Sequence, residues 1–129
     1  MNEKIKVYIK KQNQSLVDTL SSYFSIEVYK DEMAEDEEPE IYHFFIYELG
    51  NIKPTGNDEF LSQDVFVHYI SEKRVDIEEN TLDIIALLRN KKFLFGGSTK
   101  GRHQKANTDA YVDRVSFAFR RMIKLGCPI

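Results

Sequence analysis

A glycine-rich stretch at residues 96–101, Gly-Gly-Ser-Thr-Lys-Gly, contains residue types that bind phosphate in nucleotide-binding proteins. Backbone amides of such turns can hold a phosphate, but the Walker motif needs Gly, four residues and then Gly-Lys-Ser/Thr at the start of a helix. Here the order differs and no helical pattern follows. We therefore interpret the stretch as the start of a polar loop over residues 96–109.

The other candidate reactive side chains are three histidines and one cysteine. His43, His68 and His103 lie far apart, and the first two fall in apolar, strand-like stretches, where a hydrogen-bonded histidine is the commoner role. A single cysteine, Cys127, excludes an internal disulfide and a thiolate cluster for zinc. No serine or cysteine has a histidine partner in a recognisable nucleophile elbow. We predict no catalytic residue, no metal site and no cofactor.

One weak alternative is a metal-dependent nuclease. Asp64, Glu72 and Arg74 have the residue types such an enzyme needs, since two carboxylates would hold the ion and a base would steady the phosphate. The sequence does not distinguish this set from the exposed edge of an ordinary strand.

Charge is sorted along the chain. Residues 1–88 contain 8 Lys and Arg against 19 Asp and Glu, and residues 89–129 contain 10 against 2, for a net charge of −3. Such a balance does not predict non-specific attraction to nucleic acid or to an anionic membrane. Two oppositely charged surfaces would instead let copies of the chain attract one another head to tail.

Two segments concentrate these charges. Seven of the ten residues 31–40 are acidic, and a basic loop follows within residues 96–109. A nucleic-acid site would need more aromatic or amide side chains among the cations than Tyr111 and Gln104 provide. We therefore predict that the two segments lie at interfaces with other subunits or partners. The candidate interface residues are Glu35, Asp36, Glu37, Glu38, Glu40, Lys100, Arg102 and Lys105.

Periodicity predicts the elements that carry these segments. Apolar residues at helical spacing between Ile5 and Phe24 predict an amphipathic helix, although residues 4–10 also alternate as a strand would. Residues 26–29 and 41–47 read as strands, the second apolar on both faces. Residues 50–57 are rich in Gly, Asn and Pro and predict a turn.

The second half continues the same pattern. Residues 64–70 predict a strand that pairs with 41–47, and a helix follows with the stripe Ile77, Leu82, Ile85 and Leu88. Asp76 and Glu79 have the spacing of a capping box at its start. Residues 93–95 form a brief strand, and alternating residues from Tyr111 to Arg120 form the last one.

These elements predict a single domain over residues 1–129 of the α+β class. A mixed or largely antiparallel sheet of about five strands, packed by two helices, accommodates their order. No segment has the roughly 18 consecutive apolar residues of a membrane span. The N-terminus carries charges where a signal peptide is apolar, so we expect a protein made and used without secretion.

The chain also resembles a known family. The resemblance lies in Ile46-Tyr47-Glu48-Leu49-Gly50, in residues 63–69 (Gln-Asp-Val-Phe-Val-His-Tyr), in residues 83–88 (Asp-Ile-Ile-Ala-Leu-Leu), and in Thr108-Asp109-Ala110-Tyr111-Val112 before a basic strand. In length and order, across about residues 1–124, it is similar to the tail terminator, or tail completion, proteins of long-tailed phages of Gram-positive bacteria.

The resemblance implies a function without catalytic residues. Members of that family assemble as a ring, commonly a hexamer, on the finished tail tube, stop its growth and offer the surface that joins the capsid. It implies as partners other copies of the chain, the tail tube protein and a head-completion or connector protein. It implies location in the virion, in the tail or neck, and in the host cytoplasm during assembly. The alternatives are another neck or head-completion protein of a phage and a small nucleic-acid-binding or nuclease-like protein using the basic C-terminal third.

Overall fold

A five-stranded sheet carries both helices of the described residues on one of its faces. The computed structural model describes residues 3–31, 42–104 and 110–125. The predicted α+β class and the predicted order of helices and strands are confirmed. The elements are α1 (Glu3–Phe24), β1 (Val28–Lys30), β2 (His43–Pro54), β3 (Phe60–Ser71), α2 (Ile77–Asn90), β4 (Leu94–Gln104) and β5 (Tyr111–Lys124).

The strands lie in the order β1-β2-β3-β5-β4, with β1 parallel to β2 and every other pair antiparallel. The predicted pairing of β2 with β3 is confirmed, with Phe45 opposite Tyr69. The central strand is β3, which pairs with β2 on one side and β5 on the other. This order leaves β1 and β4 as the two opposite edges.

The main core lies between the sheet and the helices. Alternate residues of the inner strands point toward α1 and α2, as the two-residue period of a strand requires. Phe45, Val67 and Phe117 are at most 1% exposed, and Leu20 of α1 and Ile84 of α2 belong to the same buried cluster and cover them from the helix side. On the opposite face Phe44, Ile70 and Val112 form a smaller buried cluster beside polar side chains.

The helices follow the predicted periodicity with two corrections. The helix of residues 3–24 excludes the alternative strand at residues 4–10. In α2 the buried residues are Ile77, Ile84 and Leu88, whereas Leu82 is 68% exposed, because it lies about 140° around the helix from Ile77. The predicted capping box is absent, since Asp76 makes no cap hydrogen bond and its carboxylate accepts two from Arg74 (2.9 and 2.8 Å).

The predicted turn at residues 50–57 was placed too early. Strand β2 continues to Pro54 through a bulge between Leu49 and Ile52. Gly50 is needed there because an added Cβ would lie 2.9 Å from the Phe66 ring and 3.0 Å from the Asp64 carbonyl oxygen. Proline is tolerated at 54 because β1 pairs with β2 only as far as Tyr47, so no ladder bond is lost on that side.

The predicted polar loop at residues 96–109 is largely strand. Residues 94–104 form β4, which pairs with β5 along its length around a register shift between Phe95 and Gly97. Gly97 takes a φ of +139°, which strains any other residue. The predicted loop is therefore wrong for residues 96–104. The polar composition reflects an exposed edge strand, and residues 105–109 lie outside the described residues.

Candidate assembly surfaces

Two of the predicted basic interface residues lie on the edge strand β4. Lys100 and Arg102 are exposed, and β4 has no strand on its outer side among the described residues. Arg102 Nε donates to Asp113 Oδ1 of β5 at 3.1 Å, so part of this charge is neutralised within the chain. Lys105 lies outside the described residues.

The acidic segment starts from the opposite edge of the sheet. Asp31 follows β1, and its backbone nitrogen donates to the Tyr47 carbonyl at 2.8 Å. Four inter-strand spacings separate β1 from β4, which corresponds to about 19 Å. The predicted interface residues Glu35, Asp36, Glu37, Glu38 and Glu40 lie outside the described residues. Asp31, the first residue of the acidic segment, therefore lies at the opposite edge of the sheet from Lys100 and Arg102.

A groove with a volume of about 810 Å³ opens between the first turns of α1, the end of α2 and the end of β5. Several of its apolar side chains are exposed although they lie side by side: Tyr8 at 46%, Leu94 at 48% and Met122 at 38%. Adjacent exposed apolar residues indicate an interaction surface more than isolated ones do. The apolar wall consists of Ile5, Tyr8, Phe60, Leu94, Met122 and Ile123.

Four cations surround this groove, and they come from three separate elements and the turn after α2. They are Lys4, Arg89, Lys92 and Lys124. None of them forms an ion pair with a residue of the described ranges. The sequence does not connect these four cations, because only the fold brings their segments together.

Gln12 lies at the floor of the groove and keeps one acceptor without a partner. Its side chain is 8% exposed, and Nε2 donates to the Lys91 carbonyl at 3.3 Å. Because that carbonyl can only accept, the amide orientation is fixed and Oε1 is the free atom. Oε1 has no hydrogen-bond partner among the described residues. Helical spacing places Gln12 in the series of Ile5, Ile9, Leu16 and Leu20, a position where the sequence pattern expects an apolar residue.

A buried cation lies under α1 close to this floor. Arg121 is 1% exposed, and burial lowers the pKa of its guanidinium. Its Nε and Nη2 donate to Gln63 Oε1 at 3.0 and 2.6 Å, and Nη1 donates to Asn13 Oδ1. Gln63 in turn donates to the Gly50 carbonyl at 3.2 Å. The guanidinium is held by neutral amides, and the cluster fixes α1 to the sheet.

The open face of the sheet brings Ser116 and His68 together, a pair that the sequence did not predict. His68 Nδ1 lies 2.8 Å from Ser116 Oγ, and Nε2 lies 3.3 Å from Glu48 Oε1 but outside hydrogen-bond geometry. Burial lowers the pKa of His68, the nearby charge of Arg114 lowers it further, and Glu48 opposes both. The two residues are 48 positions apart, which conceals the pair in the sequence.

These three residue types are those of a serine hydrolase, but their setting is different. Ser116 lies in the middle of β5, paired with His68 on one side and Thr99 on the other. A nucleophilic serine needs a sharp strand-to-helix turn and free amides for the oxyanion. The amides of a strand paired on both sides are occupied by its neighbours. The arrangement suits a hydrogen bond that joins two strands.

A second, half-buried histidine belongs to a polar network on the opposite, helix-covered face of β3. Tyr69 Oη lies 2.8 Å from His43 Nε2 and accepts a hydrogen bond from Asn80 Nδ2 at 3.0 Å. Burial lowers the pKa of His43 and raises that of Tyr69. A neutral imidazole that accepts from the Tyr69 hydroxyl satisfies both groups, so the network fixes α2 to the sheet.

The set considered for a nuclease is dispersed. Asp64 pairs with Lys53 at 2.9 Å, Glu72 accepts from the backbone nitrogen of Tyr42 at 2.6 Å, and Arg74 pairs with Asp76. Asp64 and Glu72 are eight residues apart along β3 and its end, which separates them by roughly 27 Å. Within residues 3–31, 42–104 and 110–125, no three His, Cys, Asp or Glu side chains come close enough to hold a metal ion.

No family model matches this sequence, and no curated protein is significantly similar to it. Neither helix of the described ranges has the length and apolar character that crossing a membrane requires.

Proposed function

We propose that this protein is a structural subunit that assembles head to tail into a closed ring, and that the ring ends the tail tube of a long-tailed phage and offers the surface that joins the capsid. Its partners would be other copies of itself, the tail tube protein and a head-completion or connector protein. The phage assignment follows from the family resemblance of the sequence. The head-to-tail assembly has independent physical support.

The observation that supports assembly is the position of opposite charges on opposite edges of the sheet. The acidic segment starts after β1, at one edge, and Lys100 and Arg102 lie on β4 at the other. A surface that attracts a different surface of the next copy makes a heterologous contact, and such contacts close into a ring when the rotation divides a full turn. Two copies related by a two-fold axis that met through the same edge would bring like charges together, and their repulsion disfavours that pairing.

The long edge strand is consistent with the same role. Strand β4 has β5 as its one neighbouring strand among the described residues, so residues 94–103 form a sheet edge, and such an edge is a template for another chain. Charged side chains on β4 would prevent uncontrolled pairing and select a neighbour of opposite charge. The exposed row of cations therefore serves selectivity in this proposal.

Sedimentation velocity of the full chain at low and high salt, followed by electron microscopy of negatively stained particles, tests this function. We expect a discrete ring of several subunits at low salt that dissociates as salt rises. The reason is that the Debye length falls from roughly 10 Å at 0.1 M to about 3 Å at 1 M, which screens the attraction between subunits. A monomer at every salt concentration, which also fails to bind tail tubes assembled from a tail tube protein, would contradict it.

A further inference from the structure

The groove beside α1 is built to hold an anionic, partly apolar chain. Its walls are apolar, and Lys4, Arg89, Lys92 and Lys124 surround it with no acidic side chain of the described residues among its lining. Four cations near one apolar surface repel one another, so an anionic occupant that approaches all four lowers their energy. The groove thus selects by charge and by apolar contact together.

The occupant has to offer both anionic and apolar groups. Gln12 also lines the groove, but it is buried and its unpartnered Oε1 is closed to solvent, so this acceptor is not offered to an occupant. The accessible lining therefore consists of cations and apolar side chains. A simple inorganic anion would contact only the cations, whereas an acidic peptide with apolar side chains contacts both. The occupant we infer is therefore a peptide.

We propose that the groove binds the acidic segment of a second copy of this chain, residues 31–41. Seven of residues 31–40 are acidic, and the segment also contains Met33, Ala34 and Ile41, so it offers both anions and apolar side chains. This proposal rests on the head-to-tail assembly proposed above. In it the groove receives the acidic segment itself, while the β4 edge makes a separate contact within the ring.

Chain length requires that the segment come from another copy. Asp31 is held beside Tyr47, and the Tyr42 nitrogen is held by Glu72. Tyr47 pairs with Val67, about 23 Å along β3 from Phe60 in the groove wall, and Glu72 is about 40 Å from Phe60. A path from Asp31 to the groove and back to Tyr42 would therefore cover roughly 60 Å, whereas eleven residues span at most about 40 Å.

The test uses the full chain and a fluorescent peptide with the sequence of residues 31–41. Anisotropy should show saturable binding that weakens with salt, and a peptide with Gln and Asn in place of its acidic residues should not bind. The Lys92→Glu/Lys124→Glu variant should weaken binding by at least about tenfold. The matched control is Lys100→Glu/Arg102→Glu, which changes the net charge by the same amount but on β4. Its dissociation constant for the peptide should stay within about twofold of that of the unchanged protein.

A second variant tests the apolar wall of the groove separately from its charge. Leu94→Ser keeps the four cations but removes an exposed apolar contact, so it should weaken binding of the peptide without changing the salt dependence of that binding. Thermal unfolding followed by circular dichroism establishes that each variant is folded. If Lys92→Glu/Lys124→Glu does not fold, Lys4→Glu, on the exposed first turn of α1, carries the same prediction.

The other outcomes separate this proposal from the proposed function. Loss of binding in the β4 variant alone would overturn the groove as receptor and leave ring assembly standing. Peptide binding by a chain that never assembles would support the groove and contradict the ring. Binding that appears only after residues 126–129 are deleted would assign the groove to the chain's own C-terminus. That result, or an absence of peptide binding to every form, would overturn the proposal.

Discussion

Arg121 donates two hydrogen bonds to the single oxygen Oε1 of Gln63, at 3.0 and 2.6 Å, in a region where both side chains are buried. A buried cation usually has an anionic partner, because removing a charge from water is costly. Here two amide oxygens, those of Gln63 and Asn13, replace the carboxylate. The cost of burial is offset by hydrogen bonds to a charged group, each stronger than a neutral one.

This relationship predicts an unequal response to substitution. Gln63→Leu leaves a buried guanidinium with one partner and should lower the free energy of unfolding by about 3 kcal/mol. Arg121→Met removes the charge together with its desolvation cost and should lower it by only about 1–2 kcal/mol. Urea unfolding measures both. A larger loss for Arg121→Met than for Gln63→Leu would mean that the guanidinium stabilises the fold by itself.

Two histidines, the buried His68 and the half-buried His43, predict a loss of stability in mild acid. Burial lowers the pKa of His43 and His68 below 6.5, so the unfolded chain binds protons at pH values where the folded chain does not. Stability should therefore be complete above about pH 6.5 and fall as pH decreases from there toward the lower folded-state pKa values.

Urea midpoints measured between about pH 5 and pH 7.5 test this pH dependence, because proton linkage sets the slope of stability against pH. His68→Gln should flatten the slope while keeping a side chain that can bond to Ser116. A slope that is unchanged in the His43→Gln/His68→Gln double variant would assign the acid sensitivity to other groups.

Phe45 and Phe66 should differ although both lie on inner strands. Phe45 is fully buried beneath Phe24, whereas Phe66 lies half-buried on the open face over Gly50. Phe45→Ala should lower the free energy of unfolding by about 3–5 kcal/mol, the usual cost of such a cavity. Phe66→Ala should cost about half as much because the transfer term scales with buried area. Equal losses in thermal unfolding would indicate that another surface covers the open face.

The sequence predicted the main core because that core depends on local periodicity. The two-residue alternation of β2, β3 and β5 and the helical series of α1 required no knowledge of distant contacts. The predictions were wrong at Gly50 and at residues 96–104. Glycine and polar residues usually indicate a turn, but a neighbouring strand can hold them in a sheet by packing against them or by forming ladder hydrogen bonds with them. The Phe66 ring over Gly50 and the β5 ladder beside β4 are such long-range effects.

The candidate site was less predictable for the same reason. Charge sorting identified which segments carry charge, but the cations around the groove come from separate elements that only the sheet topology brings together. Gln12 could have been noticed as a polar residue within an apolar helical series. The pairing of His68 with Ser116 could not have been noticed in the sequence, since it depends on the register between β3 and β5.

The separation of Asp64 from Glu72 predicts that the protein has no metal-dependent nuclease activity. Two carboxylates that hold one catalytic ion must lie within a few ångströms of each other, and here each is already engaged, by Lys53 and by the Tyr42 nitrogen. Incubation with single- and double-stranded DNA and Mg²⁺ or Mn²⁺ should give no cleavage. Cleavage that disappears in Asp64→Ala or Glu72→Ala would contradict the structural role.

Charge reversal on β4 tests whether that edge participates in assembly at all. Lys100→Glu, Arg102→Glu and Lys105→Glu together should block ring formation or tail attachment and leave the monomer folded, because the first two side chains are exposed and pack against no core residue. Arg102→Glu also places an acid beside Asp113, so a small loss of stability, below about 1 kcal/mol, is expected from that exposed pair. Sedimentation velocity and thermal unfolding of the same samples separate assembly from folding.

Assembly that persists in this variant at low and high salt, while Lys92→Glu/Lys124→Glu abolishes it, would move the interface from the sheet edge to the groove. Persistence in both variants would mean that apolar contacts hold the ring and that the sorted charge only keeps the surface solvated.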